Sequence, residues 1–137
     1  MQKKHEQRII IDTNLWIHFL ITKQYAFLDN LLENGKVRLI FSHELMTEFV
    51  EVVKRPKLKK YFEEDDLRQM LELIDQYADI ITVTSDVKVC RDENDNFLLS
   101  LALDSKANYL ITGDNDLLVI NQFMDTRIIT ISQYKLL

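Results

Sequence analysis

The chain has 137 residues, 47% hydrophobic and 28% charged, close to the globular average of about 45–50% and 25%. One domain spanning residues 1–137 is therefore expected, and two independent domains or wholesale disorder are excluded. Its 2 Gly and 1 Pro also exclude collagenous and linker-rich chains, and no run approaches the roughly 20 apolar residues of a membrane-spanning helix.

The net charge of −5 argues against a broad basic face for nucleic acid. Clustered carboxylates that bind divalent cations reverse the local charge, however, so an acidic chain can still act on phosphates. The stretch from Met1 to Arg8 is polar and no secretory apolar segment follows it. Cys90, the single cysteine, has no internal partner, which suits a reducing, cytoplasmic compartment. It is expected as a buried structural thiol rather than a nucleophile.

Arg8 to Asp12 holds three consecutive isoleucines, a β-branched run expected as a strand buried on both faces. Leu15, Trp16, Phe19 and Leu20 then follow at helical spacing, and a second helical stretch runs from about Gln24 to Asn34, with Gly35 as its C-terminal cap. Val37 to Phe41 reads as a second strand. Ser42 is expected to cap the next helix, which carries Leu45, Met46, Phe49, Val50 and Val53 and stops near Arg55, because the residue before Pro56 is pushed out of the α region.

Leu67, Met70, Leu71, Ile74 and Tyr77 form an amphipathic stripe. Ile80 to Val83 reads as a third strand. Asn94 or Asp95 is expected to cap a helix carrying Phe97, Leu98, Leu101 and Ala102, and Tyr109 to Thr112 to form a fourth strand. A short helix from Asn115 to Val119 and a last strand from Arg127 to Ile131 complete the series. Alternating strands and helices imply right-handed crossovers. The fold expected is an α/β three-layer sandwich, with a mostly parallel central sheet of about five strands flanked by helices.

Ligands of open α/β sheets bind beyond the carboxyl ends of the strands, and in this chain aspartates stand there. Asp12 ends the first strand, Asp114 follows the fourth, and Asp95 opens the helix before the fourth. Glu48 lies about one and a half turns into the helix that starts at Ser42, near the same rim. Four acids are thus expected to converge, and a crowded carboxylate cluster is tolerated when a cation or a shared proton compensates it. Hard oxygen ligands favour Mg²⁺ or Mn²⁺, and such ions support in-line displacement at a phosphodiester.

Taken singly, each Asp also reads as an ordinary helix cap, and Glu48 as part of a solvated face with Glu44 and Glu51. Asp116 reads as a first-turn acid or an extra ligand, and Asp92 competes with Asp95.

Four blocks resemble the PIN domain nucleases. Asp12-Thr13-Asn14 is similar to the opening motif, and Ser42 followed by Glu48 to the second. Arg91-Asp92-Glu93-Asn94-Asp95-Asn96 resembles the third, with Asp95 as its functional acid. Thr112-Gly113-Asp114-Asn115-Asp116-Leu117-Leu118 resembles the fourth, with Asp114 at the metal site. The likeness runs from about Ile9 to about Tyr134 and is greatest to small prokaryotic toxins of toxin–antitoxin systems. One departure is Glu93-Asn94, where relatives often have a proline and a variable residue.

The resemblance implies a Mg²⁺- or Mn²⁺-dependent endoribonuclease that leaves 5′-phosphate and 3′-hydroxyl ends, with RNA as substrate. It also implies a protein antitoxin and a homodimer as partners, and Asp12, Glu48, Asp95 and Asp114 as both catalytic and metal-binding, with Asp116 as an added ligand. Asn14 and Thr112 are assigned to substrate binding.

Lys54-Arg55-Pro56-Lys57-Leu58-Lys59-Lys60 gathers five basic residues into seven positions. The segment reads either as solvated surface or as a contact for RNA phosphates beside the metal site. The alternative to an enzyme is a catalytically silent fold that binds RNA or protein. His5, His18 and His43 lack metal-type pairing, and an aspartyl-phosphate enzyme would want a second acid where Asn14 stands.

Overall fold

The computed structural model describes residues 6–33 and 35–137. Met1 to His5 and Asn34, where the second helical stretch is expected to end, lie outside the described residues. The elements in order are β1 (Gln7–Ile11), α1 (Thr13–Thr22), α2 (Ala26–Leu32), β2 (Val37–Phe41), α3 (His43–Val53), a single 3-10 turn (Lys59–Tyr61) and α4 (Glu64–Tyr77). They continue with β3 (Ala78–Ile80), α5 (Glu93–Ser105), β4 (Tyr109–Ile111), α6 (Asn115–Leu118), β5 (Gln122–Phe123), β6 (Thr126–Ile129) and α7 (Ile131–Lys135).

The sheet has six strands in the order β3-β2-β1-β4-β6-β5. All neighbours pair in parallel except β5, which runs antiparallel to β6. From β1 the chain steps one way to β2 and β3, then returns to the other side of β1 for β4 and β6. Right-handed crossovers therefore place α5 on the face opposite α1 to α4. The strand order reverses between β1 and β4, and the crevice at such a point is where open α/β sheets take their ligands.

Ile9, Ile10 and Ile11 of β1 are fully buried, as the isoleucine run requires, and Trp16, Phe41, Phe49 and Leu99 fill the core around them. The amphipathic stripe of α4 turns Met70 and Ile74 inward. Gly35 has φ +67° and its N–H reaches Leu32 O at 3.1 Å, closing α2 as a terminal glycine does. Among the described residues no helix is long and apolar enough to cross a membrane.

Four expectations change. The third strand is Ala78–Ile80 rather than Ile80 to Val83: it pairs Leu39 with Ala78 and Phe41 with Ile80, and after Ile81 N–H reaches Phe41 O the ladder ends. The sheet has a sixth strand, β5, whose two residues carry no periodic signal. The final strand stops at Ile129, because Thr130 caps α7 through its hydroxyl and Gln133 completes a capping box. The cap of α5 is Asp92, whose Oδ1 accepts from Asn94 N–H at 2.8 Å, so Asn94 and Asp95 lie inside the first turn.

Candidate acidic active site

The carboxyl ends of β1 and β4 are tied together through one hydroxyl. Thr112, 1% exposed, donates its Oγ1 proton to Asp12 Oδ2 at 2.8 Å and accepts from Asp114 N–H at 3.0 Å. Asp12 Oδ1 accepts from Asn14 N–H at 3.2 Å, capping α1. Asp114 Oδ1 accepts from Asp116 N–H at 2.9 Å, capping α6. Cap and rim acid are thus the same residues: each helix start fixes one carboxylate oxygen and so aims the side chain.

Asp12, Glu48, Asp95 and Asp114 all line one cleft of about 760 Å³. Glu44, Asp86, Asp92 and Glu93 line it too, as does Asn14, with Arg55 as its cation. Asp95, Asp114 and Asp116 form the tightest group, with one carboxylate oxygen from each lying within 4.8 Å of the others. Asp12 and Glu48 line the same cleft outside this trio, with the charge of Asp12 reaching both Asp95 and Glu48. Asp116, which also sits in the first turn of α6, lies 3.5 Å from the guanidinium of Arg91 in an exposed pair; such a pair contributes little.

Asp95 is 5% exposed. Burial first, and then the neighbouring charges of Asp114 and Asp92, push its carboxyl up to about 6. Glu48 is raised by burial and by Asp12 and Asp92, with Arg55 pulling the other way. A cleft that holds protons against the ordinary acidity of its carboxyls carries more negative charge than it can stabilise alone. Its donors are all oxygen, the set that suits Mg²⁺ or Mn²⁺.

Other residues read from the sequence fall differently. Thr112 is buried and its proton is already committed to Asp12, so it orders the carboxylates rather than facing a substrate. The basic segment divides: Arg55 lines the acidic cleft, whereas Lys54 and Lys59 line a separate groove against α4 with Phe62, Leu67 and Leu71. Lys57 and Lys60 are exposed, Lys60 lying over the Tyr61 ring. Cys90 is half-buried rather than buried, and desolvation with the nearby acids raises its thiol, which disfavours the thiolate a nucleophile needs. His18 and His43 are exposed on α1 and α3, and His5 lies outside the described residues.

Sequence reading missed how the wall between β3 and α5 is built. Asn96, Ser100 and Asp104 recur every four residues on α5, hence along one face, and bind the backbone running past them. Asp104 Oδ2 accepts from Thr84 and Ser85 N–H, and Ser100 Oγ from Val87 N–H at 2.9 Å. Asn96 Oδ1 accepts from Val89 and Cys90 N–H, while its Nδ2 donates to Cys90 O at 3.0 Å. This ladder holds the segment bearing Asp86 and Asp92 against the cleft. Its signal was a polar i, i+4, i+8 row that continues into the apolar middle of the helix.

Comparison with known proteins agrees with the geometry. A family model described as PIN domain matches residues 8–116. The chain is also similar to an uncharacterised protein of Methanocaldococcus jannaschii, 33% identical over 120 residues that cover 85% of this chain and 76% of that protein.

Proposed function

The chain belongs to the PIN domain family, whose members are generally divalent-metal nucleases, and from that premise we propose that it is a Mg²⁺- or Mn²⁺-dependent endoribonuclease. In this reading it works in the cytoplasm as one nuclease domain, the toxin of a toxin–antitoxin pair, with a protein antitoxin and a second copy of itself as partners. The toxin role rests on the likeness of the four sequence blocks. The hydrolytic role rests on Asp95, buried and held protonated to about 6 beside Asp114 in a cleft lined by acids.

Asp95, Asp114 and Asp116, with Asp12 and Glu48 in the same cleft, would hold the ion. When bound, it supplies polarisation of phosphate oxygens and acidification of a water. The protein's own part is order. Thr112 and the caps of α1 and α6 fix Asp12 and Asp114, so the carboxylates need little reorganisation. Glu48, raised by burial and by Asp12, is suited to take a proton from an attacking water. Asn14, exposed at the cleft mouth, is placed to donate its amide to a phosphate oxygen.

The test is cleavage of a mixed RNA pool with Mn²⁺, with Mg²⁺ and with chelator, followed by analysis of the ends. Metal-dependent fragments with 5′-phosphates are expected. Fragments that persist equally in chelator, or none under any condition with RNA still bound, would leave a silent binding fold.

A further inference from the structure

We propose that Arg55 is the residue by which the cleft grips its nucleic-acid strand, holding a phosphate of the backbone. The proposal rests on the nuclease reading and adds to it the source of strand affinity.

Acidic side chains dominate the polar lining of the cleft, and Arg55 is its basic residue. Among the described residues the Arg55 guanidinium makes no hydrogen bond or ion pair; its backbone N–H is spent on Val52 O at 3.1 Å. Arg55 comes two residues after Val53, the last residue of the helix that carries Glu48. It stands just past the C-terminus of α3, where the helix dipole favours a cation. The charge opens into the same space as the carboxylates that would hold the metal, and it is near enough to Glu48 to draw that carboxyl down against the effect of burial.

A planar guanidinium with unused donors matches two oxygens of one phosphate. Lys54, Lys59 and Lys60 do not duplicate it, and Lys57 is exposed without lining the cleft. Lys54 and Lys59 face the groove against α4, and Lys60 lies over Tyr61. The density of basic residues in the segment overstates how many reach the strand.

The experiment is fluorescence anisotropy of a short fluorescein-labelled single-stranded RNA, titrated at several salt concentrations in Ca²⁺ buffer. Wild type, Arg55→Ala, Arg55→Lys and the triple variant Lys57→Ala, Lys59→Ala, Lys60→Ala are compared. One phosphate contact on a single strand contributes about 0.7 to the slope of log affinity against log salt. Arg55→Ala is expected to flatten the slope by that amount and to weaken binding about tenfold, the scale of one charge-assisted contact. Arg55→Lys should keep the slope while recovering only part of the affinity, because it keeps the charge and loses the fork.

The triple variant should keep the wild-type slope. An unchanged slope for Arg55→Ala, an equal flattening by the triple variant, or no RNA binding by wild type would each overturn the proposal. Cleavage of the same RNA by wild type in Mn²⁺ is scored separately. An Arg55-dependent slope without metal-dependent cleavage would sink the nuclease reading and leave the phosphate grip standing.

Discussion

Thr112 and Asp12 are one hundred positions apart in the chain and joined by a 2.8 Å hydrogen bond, the Thr112 hydroxyl donating to Asp12 Oδ2. Because the Thr112 hydroxyl oxygen also accepts from Asp114 N–H, one hydroxyl sets the spacing of two acids just past the ends of neighbouring strands. Thr112→Val keeps the shape but strands a buried carboxylate oxygen and a backbone N–H. Leaving such groups unpaired costs about 1–3 kcal/mol each. Urea unfolding should show a loss on the order of 2 kcal/mol together with reduced RNA cleavage, and Thr112→Ser should restore most of both. A valine variant as stable and active as wild type would remove Thr112 from the site's architecture.

Asp12→Asn separates charge from shape. The substituted side chain still offers one oxygen to Asn14 N–H, so the α1 cap survives, and its amide can donate to the Thr112 hydroxyl in place of the bond that Asp12 Oδ2 accepted, while repulsion toward Glu48 and Asp95 is relieved. Cleavage should vanish, and the metal-free melting temperature should stay at or slightly above that of wild type. A variant that melts well below wild type without metal would make Asp12 a structural cap first.

Asp95 carries a pH dependence whose sign is fixed by its raised carboxyl. A group that binds its proton more tightly folded than unfolded lowers stability as pH rises from the unfolded value through the folded one. Here that window runs from 3.8 to about 6, and the full effect at one site is roughly 3 kcal/mol. Asp95→Asn should therefore stabilise the metal-free protein at pH 8 and change it little at pH 4, in thermal melts without divalent ions. Added Mn²⁺ should raise the wild-type melting temperature through preferential binding to the folded state, and raise that of the variant less. Equal gains at both pH values would show that the cluster does not hold the proton.

Asn96 is the last rung of the α5 ladder before the cleft. Asn96→Ala removes the acceptor for Val89 and Cys90 N–H and the donor to Cys90 O, at a cost of about 2 kcal/mol. Amide hydrogen exchange should speed up at Val89 and Cys90 while β1 stays protected. If protection were lost equally throughout the sheet, the ladder would be part of the global core rather than a local strap.

Much of the fold was legible because it depends on local signals. The isoleucine run, the stripe of α4, Ser42 as the cap of α3 (its Oγ accepting Leu45 N–H at 3.0 Å) and the stop before Pro56 all lie within one turn or one strand. Helix ends without a matching residue were not legible. Lys23 and Lys106 adopt φ +58° and +55° to end α1 and α5, a conformation that sequence reading assigns to glycine. The third strand reads as Ile80 to Val83, but the ladder ends once Ile81 N–H reaches Phe41 O, and the segment from Thr84 to Cys90 follows as irregular backbone. Its N–H groups are instead satisfied by side chains of a helix that follows later in the chain.

The sequence by itself determined which acids stand at the carboxyl ends of β1 and β4 and at the start of α5, since each is written beside its own strand or cap. Only the tertiary structure decided which of them draw close. It placed Asp116 with Asp95 and Asp114, kept Asp12 and Glu48 in the same cleft but outside that trio, and turned Arg55 rather than Lys54 or Lys59 into the cleft. The reason is geometric: a periodic pattern fixes the face a residue takes on its own element, whereas the distance between two faces depends on sheet order, register and long-range hydrogen bonds such as that from Thr112 to Asp12. No local window of the chain contains those.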